Sequence, residues 1–199
     1  GVNMKIEDGQ FTGLHGPSGS GKTTLLRVVG LLETPDQGKY LFNGERLTGK
    51  DRGDRSRYRK LYFGFIFQTF NLIPELTVYE NVEIPLMISS TGGGKRDRKV
   101  TGICEEVGLS NRLQHRPSQL SGGQMQRVSI ARALVKEPEL VLADEPTANL
   151  DSKTGNEVVE LMKDMNERHG TTFLFATHDP EVTEYLEEIR TIKDGKLVS

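Results

Sequence analysis

The sequence predicts an α/β fold in which a mainly parallel sheet is covered by helices and carries a small antiparallel β-subdomain and a helical insertion. Three observations predict it. Strand-type runs alternate with helix-type runs along most of the chain, which is typical of parallel sheets. A glycine-rich loop joins the first strand to the first helix, and a later apolar strand ends in two carboxylates. The length of 199 residues suits one domain with its own core.

The first third of the chain alternates between strands and helices. An apolar strand is predicted over 11–15, and after the glycine-rich loop a helix over 23–32 stops at Thr34-Pro35-Asp36. A short strand then ends at the turn signal Asn43-Gly44. The predictions after the first helix are this strand over 40–42, a charged helix or loop over 50–60, and an aromatic strand over 61–67.

Residues from about 69 to 119 form the predicted helical insertion. Apolar residues recur there at helical spacing, and no strong strand pattern appears. Alternation then resumes, with helices over 122–136, 152–168 and 180–186, strands over 140–143 and 172–176, and a closing hairpin of 189–192 and 196–198. We therefore expect a single domain over 1–199, in which 1–68 and 120–199 form the core and β-subdomain.

Composition excludes several classes of protein. There are 26 Lys and Arg against 28 Asp and Glu, so the net charge of −2 provides no overall basic field for nucleic acid. The single cysteine, Cys104, excludes an intrachain disulfide framework. No apolar run approaches the roughly 18 residues of a membrane helix. We expect a cytoplasmic domain whose membrane role, if it has one, comes through a partner.

Residues 16–23 match the phosphate-binding pattern G-x-x-x-x-G-K-[ST]. The glycines let backbone N–H groups wrap a phosphate chain, and the following helix places its positive end on the same anion. Lys22 would reach the β- and γ-phosphates, and the Thr23 hydroxyl would bind Mg²⁺. The alternative is a Gly/Ser-rich linker, which the flanking strand and helix disfavour. The candidate nucleotide-binding residues are Gly16, Pro17, Ser18, Gly19, Ser20, Gly21, Lys22, Thr23 and Thr24.

Polar side chains also follow three other predicted strands. Asp144 and Glu145 end an apolar strand, where two acids repel each other unless a cation or a proton intervenes. We assign Asp144 to Mg²⁺ through water and Glu145 to the attacking water as general base; the alternative is a helix-capping pair before Pro146. Gln68 would add an oxygen ligand to the metal, and His178 would face the ligand crevice, although either residue type is more often structural.

The segment Leu120-Ser121-Gly122-Gly123-Gln124 resembles the signature motif of ATP-binding cassette (ABC) ATPases. Three other features stand in the family's order: the phosphate loop, Asp144-Glu145, and the run Asn149-Leu150-Asp151. Gln68 and His178 do so too, so the resemblance covers nearly the whole chain and implies a P-loop NTPase fold. Ser121, Gly122 and Gly123 open a helix, which would make a second anion-binding surface.

The resemblance implies a mechanism. Two cassettes pair head to tail, and each ATP lies between the phosphate loop of one copy and Ser121, Gly122, Gly123 and Gln124 of the other. Asp144 is then the Walker B aspartate, Glu145 the general base, Asp151 a contact across the dimer, His178 the switch histidine and Gln68 the Q-loop glutamine. The helical insertion would dock on a transmembrane permease, which places the chain on the inner face of the cell membrane.

Less specific sequence similarities indicate the type of cassette. Residues 67–74 and 76–82 resemble the lipoprotein-releasing and macrolide-efflux cassettes, and the alternative is a cassette of another transporter class. A different class altogether is a soluble ABC ATPase acting on nucleic acid, for which the basic cluster over 52–60 is the available surface. That cluster is interleaved with Asp51 and Asp54, which favours a solvated face, and no nucleic-acid partner is expected.

The resemblance also implies that the chain is trimmed at both ends. The family's adenine-stacking aromatic lies on a strand about thirty residues before the phosphate-loop lysine, and here 21 residues precede Lys22. We expect weaker recognition of the base and poor discrimination between ATP and GTP. A catalytically weak cassette is the alternative to a full ATPase. Tyr40 or Phe42 on the short hairpin would be the substitute for that aromatic.

Overall fold

The computed structural model describes residues 1–89 and 91–198, which contain eight strands and seven α-helices. The strands are β1 (Phe11–His15), β2 (Leu41–Phe42), β3 (Glu45–Arg46), β4 (Phe63–Ile66), β5 (Leu140–Asp144), β6 (Thr172–Thr177), β7 (Glu188–Lys193) and β8 (Lys196–Leu197). The helices are α1 (Lys22–Val29), α2 (Arg52–Tyr62), α3 (Val78–Ile88), α4 (Gly93–Glu106), α5 (Gly122–Leu134), α6 (Ser152–His169) and α7 (Pro180–Thr183), with 3₁₀ turns at Ser110–Arg112 and Pro117–Gln119.

The main sheet has the strand order β4-β5-β6-β1-β7-β8, and β2 pairs with β3 in a separate antiparallel hairpin. Every neighbouring pair from β4 to β7 is parallel, and β7 turns back antiparallel into β8. The predicted mainly parallel sheet and small antiparallel β-subdomain are therefore confirmed. Because β1 lies beside β6, and β6 beside β5, the carboxyl ends of these strands meet at one edge.

Alternate residues of the central strands enter two cores, as a sheet covered on both faces requires. On one face, Val141, Ala143 and Phe173 pack with the helical insertion, α5 and α6. On the other face, Leu140 and Leu142 pack with α1 and the hairpin. The sheet is thus held rigidly between two helical layers.

Several predicted boundaries differ from the structure. The helices predicted over 122–136 and 180–186 end earlier, at Leu134 and Thr183, and two other differences have a visible cause. The first helix ends at Val29 rather than at residue 32, because Leu31 takes a left-handed φ of 56°. Gly30, its C-cap, lies so close to β4 and β5 that a Cβ there would be 2.6 Å from Phe65. The aromatic strand begins at Phe63 rather than at residue 61, because α2 continues through Tyr62.

The described residues of the segment from 69 to 119 contain α3, α4 and the two 3₁₀ turns, joined by loops, and no strand. Thr77 caps α3 by accepting from the Glu80 amide, and Glu80 accepts in return from the Thr77 amide. α3 packs on both α4 and α5. Within residues 1–89 and 91–198, none of the helices has the length and apolar character needed to cross a bilayer.

Candidate functional site

The glycine-rich loop wraps the end of β1 and opens directly into α1. Gly21, the N-cap of α1, has a left-handed φ of 103°, and no side chain caps the helix. The first-turn N–H groups of α1 are therefore open to an anion. A Cβ at Gly16 would lie 2.2 Å from the Ile192 carbonyl oxygen, so β7 leaves no room for a side chain at this position.

The Lys22 ammonium lies inside this loop. Its Nζ donates to the Gly16 carbonyl at 2.7 Å and to the Pro17 carbonyl at 3.1 Å. It is also 3.8 Å from Glu145 Oε1, and both side chains are mostly buried, at 6% and 14% exposed. The cation and the loop amides are thus aimed at the same small space, which suits a polyphosphate.

Thr23 and Asp144 form an oxygen pair beside the loop. The Thr23 hydroxyl donates to Asp144 Oδ1 at 2.9 Å. Desolvation raises the pKa of Asp144, and the nearby Glu145 charge raises it further, while the Thr23 hydrogen bond opposes this. A divalent cation would relieve that repulsion, and hard oxygens are the ligands Mg²⁺ prefers. The Thr23 hydroxyl and the Asp144 carboxylate thus fit Mg²⁺. The described residues hold no group of three His, Cys, Asp or Glu arranged for a metal.

Ser20 gives a further sign that this loop is built for a ligand. Its Oγ is buried and has no hydrogen-bond partner within the described part of the chain. Buried hydroxyls are ordinarily satisfied, so an orphan within a phosphate-type loop is consistent with a bound acceptor.

Glu145 and His178 meet across the ends of β5 and β6. His178 Nδ1 is 2.8 Å from Glu145 Oε1, so the ring carries its proton on Nδ1 when the carboxylate is charged. Glu145 has a left-handed φ of 46°, which is costly for a residue with a side chain. Its amide donates to the Ala176 carbonyl at 2.8 Å, which anchors this conformation. The geometry places a carboxylate, oriented by an imidazole, beside Lys22.

Gln68 reaches the same edge by register. Ile66 pairs with Ala143, and Gln68 follows Ile66 by two residues as Glu145 follows Ala143. Among the described residues, the side-chain amide of Gln68 makes no hydrogen bond to Thr23 or Asp144. Its backbone carbonyl accepts a hydrogen bond from Asn149 Nδ2 at 2.6 Å. The metal contact of Gln68 stays a prediction.

The signature segment lies at the start of α5. Ser121 Oγ accepts from the Gln124 amide, and Gln124 Oε1 accepts from the Ser121 amide. Two first-turn amides of the predicted anion surface are thus already capped, which leaves those of Gly122 and Gly123. A Cβ on Gly123 would lie 2.5 Å from Thr154 Cγ2, so this segment is packed tightly on α6.

The signature segment and the phosphate loop are separate in one chain. Among the described residues no hydrogen bond or ion pair joins Ser121 or Gln124 to residues 16–24. Asp151 caps α6 by accepting from the Thr154 amide at 3.0 Å, and its pKa is lowered by the Thr154 hydrogen bonds. Asp151 remains exposed, so it is available to a second molecule.

A cleft of about 1260 Å³ opens beside the phosphate loop, between the N-terminal segment, α1 and the β2–β3 hairpin. Both candidate aromatics at this cleft are engaged elsewhere. The Tyr40 hydroxyl donates to the Val29 carbonyl at 2.9 Å, and burial raises its pKa. Phe42 packs edge-on against Phe63, 4.9 Å between ring centres. Both residues also line the cleft.

The sequence analysis did not predict two sets of contacts near the site. Asn149 donates a hydrogen bond to the Gln68 backbone carbonyl, and Arg132 donates two hydrogen bonds to the loop that follows Gln68. Asn149 stands in the run before Asp151, and Arg132 in the helix after the signature, but no local pattern indicates which carbonyl either side chain reaches.

Comparison with known proteins agrees with this geometry. The family model described as "ABC transporter" matches residues 1–148. An uncharacterized ABC transporter ATP-binding protein, MJ1508 of Methanocaldococcus jannaschii, is 46% identical over 197 residues, which is 99% of this chain and 88% of that protein. The macrolide export ATP-binding/permease protein MacB of Marinobacter nauticus is 46% identical over 198 residues, which is 100% of this chain and 31% of that protein.

A solved structure shows the same fold. The ATP-binding cassette MJ0796, described as a dimer in a post-hydrolysis state bound to ADP and Pi, superposes with a TM-score of 0.90 at 42% identity. The match covers 100% of this chain and 87% of that chain. The predicted resemblance to macrolide-efflux cassettes is confirmed by these relatives.

Proposed function

Because the chain belongs to the ABC transporter ATP-binding family, we propose that it binds ATP with Mg²⁺, hydrolyses it as a head-to-tail dimer and drives a transmembrane partner. One observation carries this proposal. The phosphate loop, the Thr23–Asp144 pair and the Glu145–His178 pair converge on one edge of the sheet. That convergence provides an anion cradle, a metal position and a base within contact of each other.

Binding rests on the loop and the first turn of α1. The amides from Gly16 to Thr24 cradle the β- and γ-phosphates, and Lys22 neutralises their charge. Thr23 would hold Mg²⁺ directly, Asp144 would hold it through water, and Gln68 would add an oxygen. Bound Mg²⁺ would neutralise charge on the β- and γ-phosphate oxygens.

Hydrolysis requires a base for the attacking water. The Glu145 carboxylate accepts the proton as the water oxygen attacks the terminal phosphorus, and the bond between that phosphorus and the β–γ bridging oxygen breaks. His178 donates from Nδ1 to Oε1 of Glu145 at 2.8 Å, and its backbone amide donates to Oε2 at 3.4 Å. These two hydrogen bonds fix the carboxylate in place for the attacking water. His178 is well exposed, so its other ring nitrogen is free to contact the γ-phosphate.

The second copy completes the site. Ser121 lies far along the chain from the phosphate loop and, among the described residues, forms no hydrogen bond or ion pair with it. Its hydroxyl proton and the Gly122 and Gly123 amides would therefore meet the ATP of a partner. Gln124 keeps Ser121 in place through the capping box. Asp151 would contact the partner at the same interface. That the related cassette MJ0796 is dimeric supports this arrangement.

The membrane partner would dock on the helical insertion. The exposed apolar side chains of this insertion are Met87 and Ile88 at the end of α3, at 56% and 62% exposed, and Ile73 in the loop before α3, at 42%. MacB combines ATP-binding and permease functions in its name, and this chain spans 31% of it. A permease of that type, with the chain on the cytoplasmic face of the membrane, fits this apolar surface.

The test uses Glu145→Gln, with Glu157→Gln on the exposed face of α6 as the matched control. We expect Glu145→Gln to reduce ATP hydrolysis by about 10²–10⁴ and to dimerise with Mg-ATP but not with Mg-ADP, as measured by light scattering. Glu157→Gln should hydrolyse ATP at the parent rate. A folded Glu145→Gln protein that stays monomeric at saturating ATP, or one that hydrolyses at the parent rate, contradicts the proposal.

A further inference from the structure

The loop that follows Gln68 has an uncommon backbone. Phe70 and Asn71 are consecutive residues with left-handed φ angles of 60° and 50°, and neither is glycine. The Asn71 amide donates to the Thr69 carbonyl at 2.6 Å, which makes the turn very tight. A left-handed residue with a side chain costs roughly 1–2 kcal/mol, so two in succession persist only where other contacts hold them.

Arg132, near the C-terminal end of α5, provides such contacts. Its Nη2 donates to the Phe70 carbonyl at 2.7 Å and its Nη1 to the Asn71 carbonyl at 2.5 Å. The two parallel hydrogen bonds fix both the position and the plane of the loop, which the flexible ammonium of a lysine would not do.

The charge on Arg132 is unusual in its surroundings. The guanidinium is half-buried, and desolvation lowers its pKa. Among the described residues it forms no ion pair with a carboxylate, and its recorded partners are the two carbonyls. A partly desolvated cation without a counter-ion is costly, so a purely stabilising role is a poor explanation for it.

The same helix also holds the loop that follows the two acids. Gln126, fully buried in α5, donates from Nε2 to the Pro146 carbonyl at 2.6 Å. Asn149, further along that loop, donates to the Gln68 carbonyl at 2.6 Å. One rigid helix is therefore tied at its first turns to the acidic loop and at its last turn to the loop after Gln68.

We propose that Arg132 is a positioning residue that locks the loop 68–71 and couples it to the signature segment at the other end of α5. This inference rests on the proposed function, in which that segment meets the partner's nucleotide and Gln68 meets the chain's own. The 13 residues of α5 span about 20 Å. Movement of the helix when its first turn engages ATP would carry the carbonyls of Phe70 and Asn71, and Gln68 with them.

The first test is independent of nucleotide chemistry. Arg132→Gln removes the charge and the fork, and Arg127→Gln is the control, because Arg127 lies on the same helix and donates to a carbonyl elsewhere, that of Val107. We expect amide hydrogen exchange at 69–72 to accelerate at least tenfold in Arg132→Gln and to stay at the parent rate in Arg127→Gln. Unchanged exchange, or equal acceleration in both variants, overturns the proposal. If Arg132→Gln does not fold, Arg132→Lys is judged by the same criterion.

The second test measures coupling, in a Glu145→Gln background. Adding Arg132→Gln should raise the ATP concentration at half-maximal dimerisation at least tenfold. It should leave the monomer's dissociation constant for metal-free ADP within twofold, because that binding rests on the phosphate loop and not on Gln68. Adding Arg127→Gln should change neither. An unshifted dimerisation midpoint overturns the coupling. If the Glu145→Gln parent itself fails to dimerise, the proposed function fails, while the hydrogen-exchange comparison still decides the role of Arg132.

Discussion

Neutralising Glu145 should tighten the binding of ADP to the monomer. Lys22 is held by two loop carbonyls and lies 3.8 Å from the Glu145 carboxylate. An incoming phosphate must draw the ammonium away from this carboxylate and must also approach the carboxylate's negative charge. Glu145→Gln removes both obstacles, and the glutamine side chain has nearly the same shape as the glutamate it replaces.

The magnitude follows from the separation and the burial of the pair. Two unit charges about 4 Å apart interact by about 4 kcal/mol at an effective dielectric constant of 20, which is an upper bound. The Lys22 ammonium also donates to two loop carbonyls, so Glu145 is only one of its partners and we expect roughly 1–2 kcal/mol to be released. That corresponds to an ADP dissociation constant lower by roughly 5- to 30-fold.

Calorimetric titration with Mg-ADP measures this directly, because ADP supports neither hydrolysis nor the proposed dimer. The control is His178→Ala, which removes the other partner of Glu145 but keeps its charge beside Lys22. We expect His178→Ala to bind ADP within about twofold of the parent. Equal or weaker binding by Glu145→Gln, or the same tightening in His178→Ala, would refute the reasoning.

Two further predictions follow from the site. Asp144→Asn should raise the melting temperature at pH 7 without nucleotide. Because the pKa of Asp144 is raised, the free energy of unfolding of the wild type falls as pH rises from the ordinary pKa of the carboxyl toward its pKa in the folded protein. The same variant should weaken Mg²⁺ affinity by about 10- to 100-fold. The stability difference should disappear below about pH 3.8, which thermal melts across pH would check. Gly123→Ala should destabilise the fold by about 1–3 kcal/mol through its clash with the Thr154 methyl. Adding Thr154→Ser removes that methyl and should restore stability in urea unfolding, and no recovery would contradict the clash.

Local sequence patterns predicted most of the fold and most of the candidate residues. Side-chain periodicity distinguishes β5 and β6 from α6, and the glycines before Lys22 and after Ser121 mark backbone that must approach an anion or another helix closely. These signals lie within a few residues of each other, so they can be read in one dimension. Their limit appears at α2, which continues two residues into the predicted aromatic strand because a helix end competes there with a strand start.

The contacts between distant segments depend on strand order, which no local pattern specifies. Lys22, Asp144, Glu145 and His178 meet because β1 inserts between β6 and β7 and β5 lies beside β6. The fork of Arg132 on the loop after Gln68 joins residues about 60 positions apart. The stabilisation from these two hydrogen bonds depends on the strained backbone of the loop and on the low dielectric around the guanidinium. Both arise only once the chain has packed.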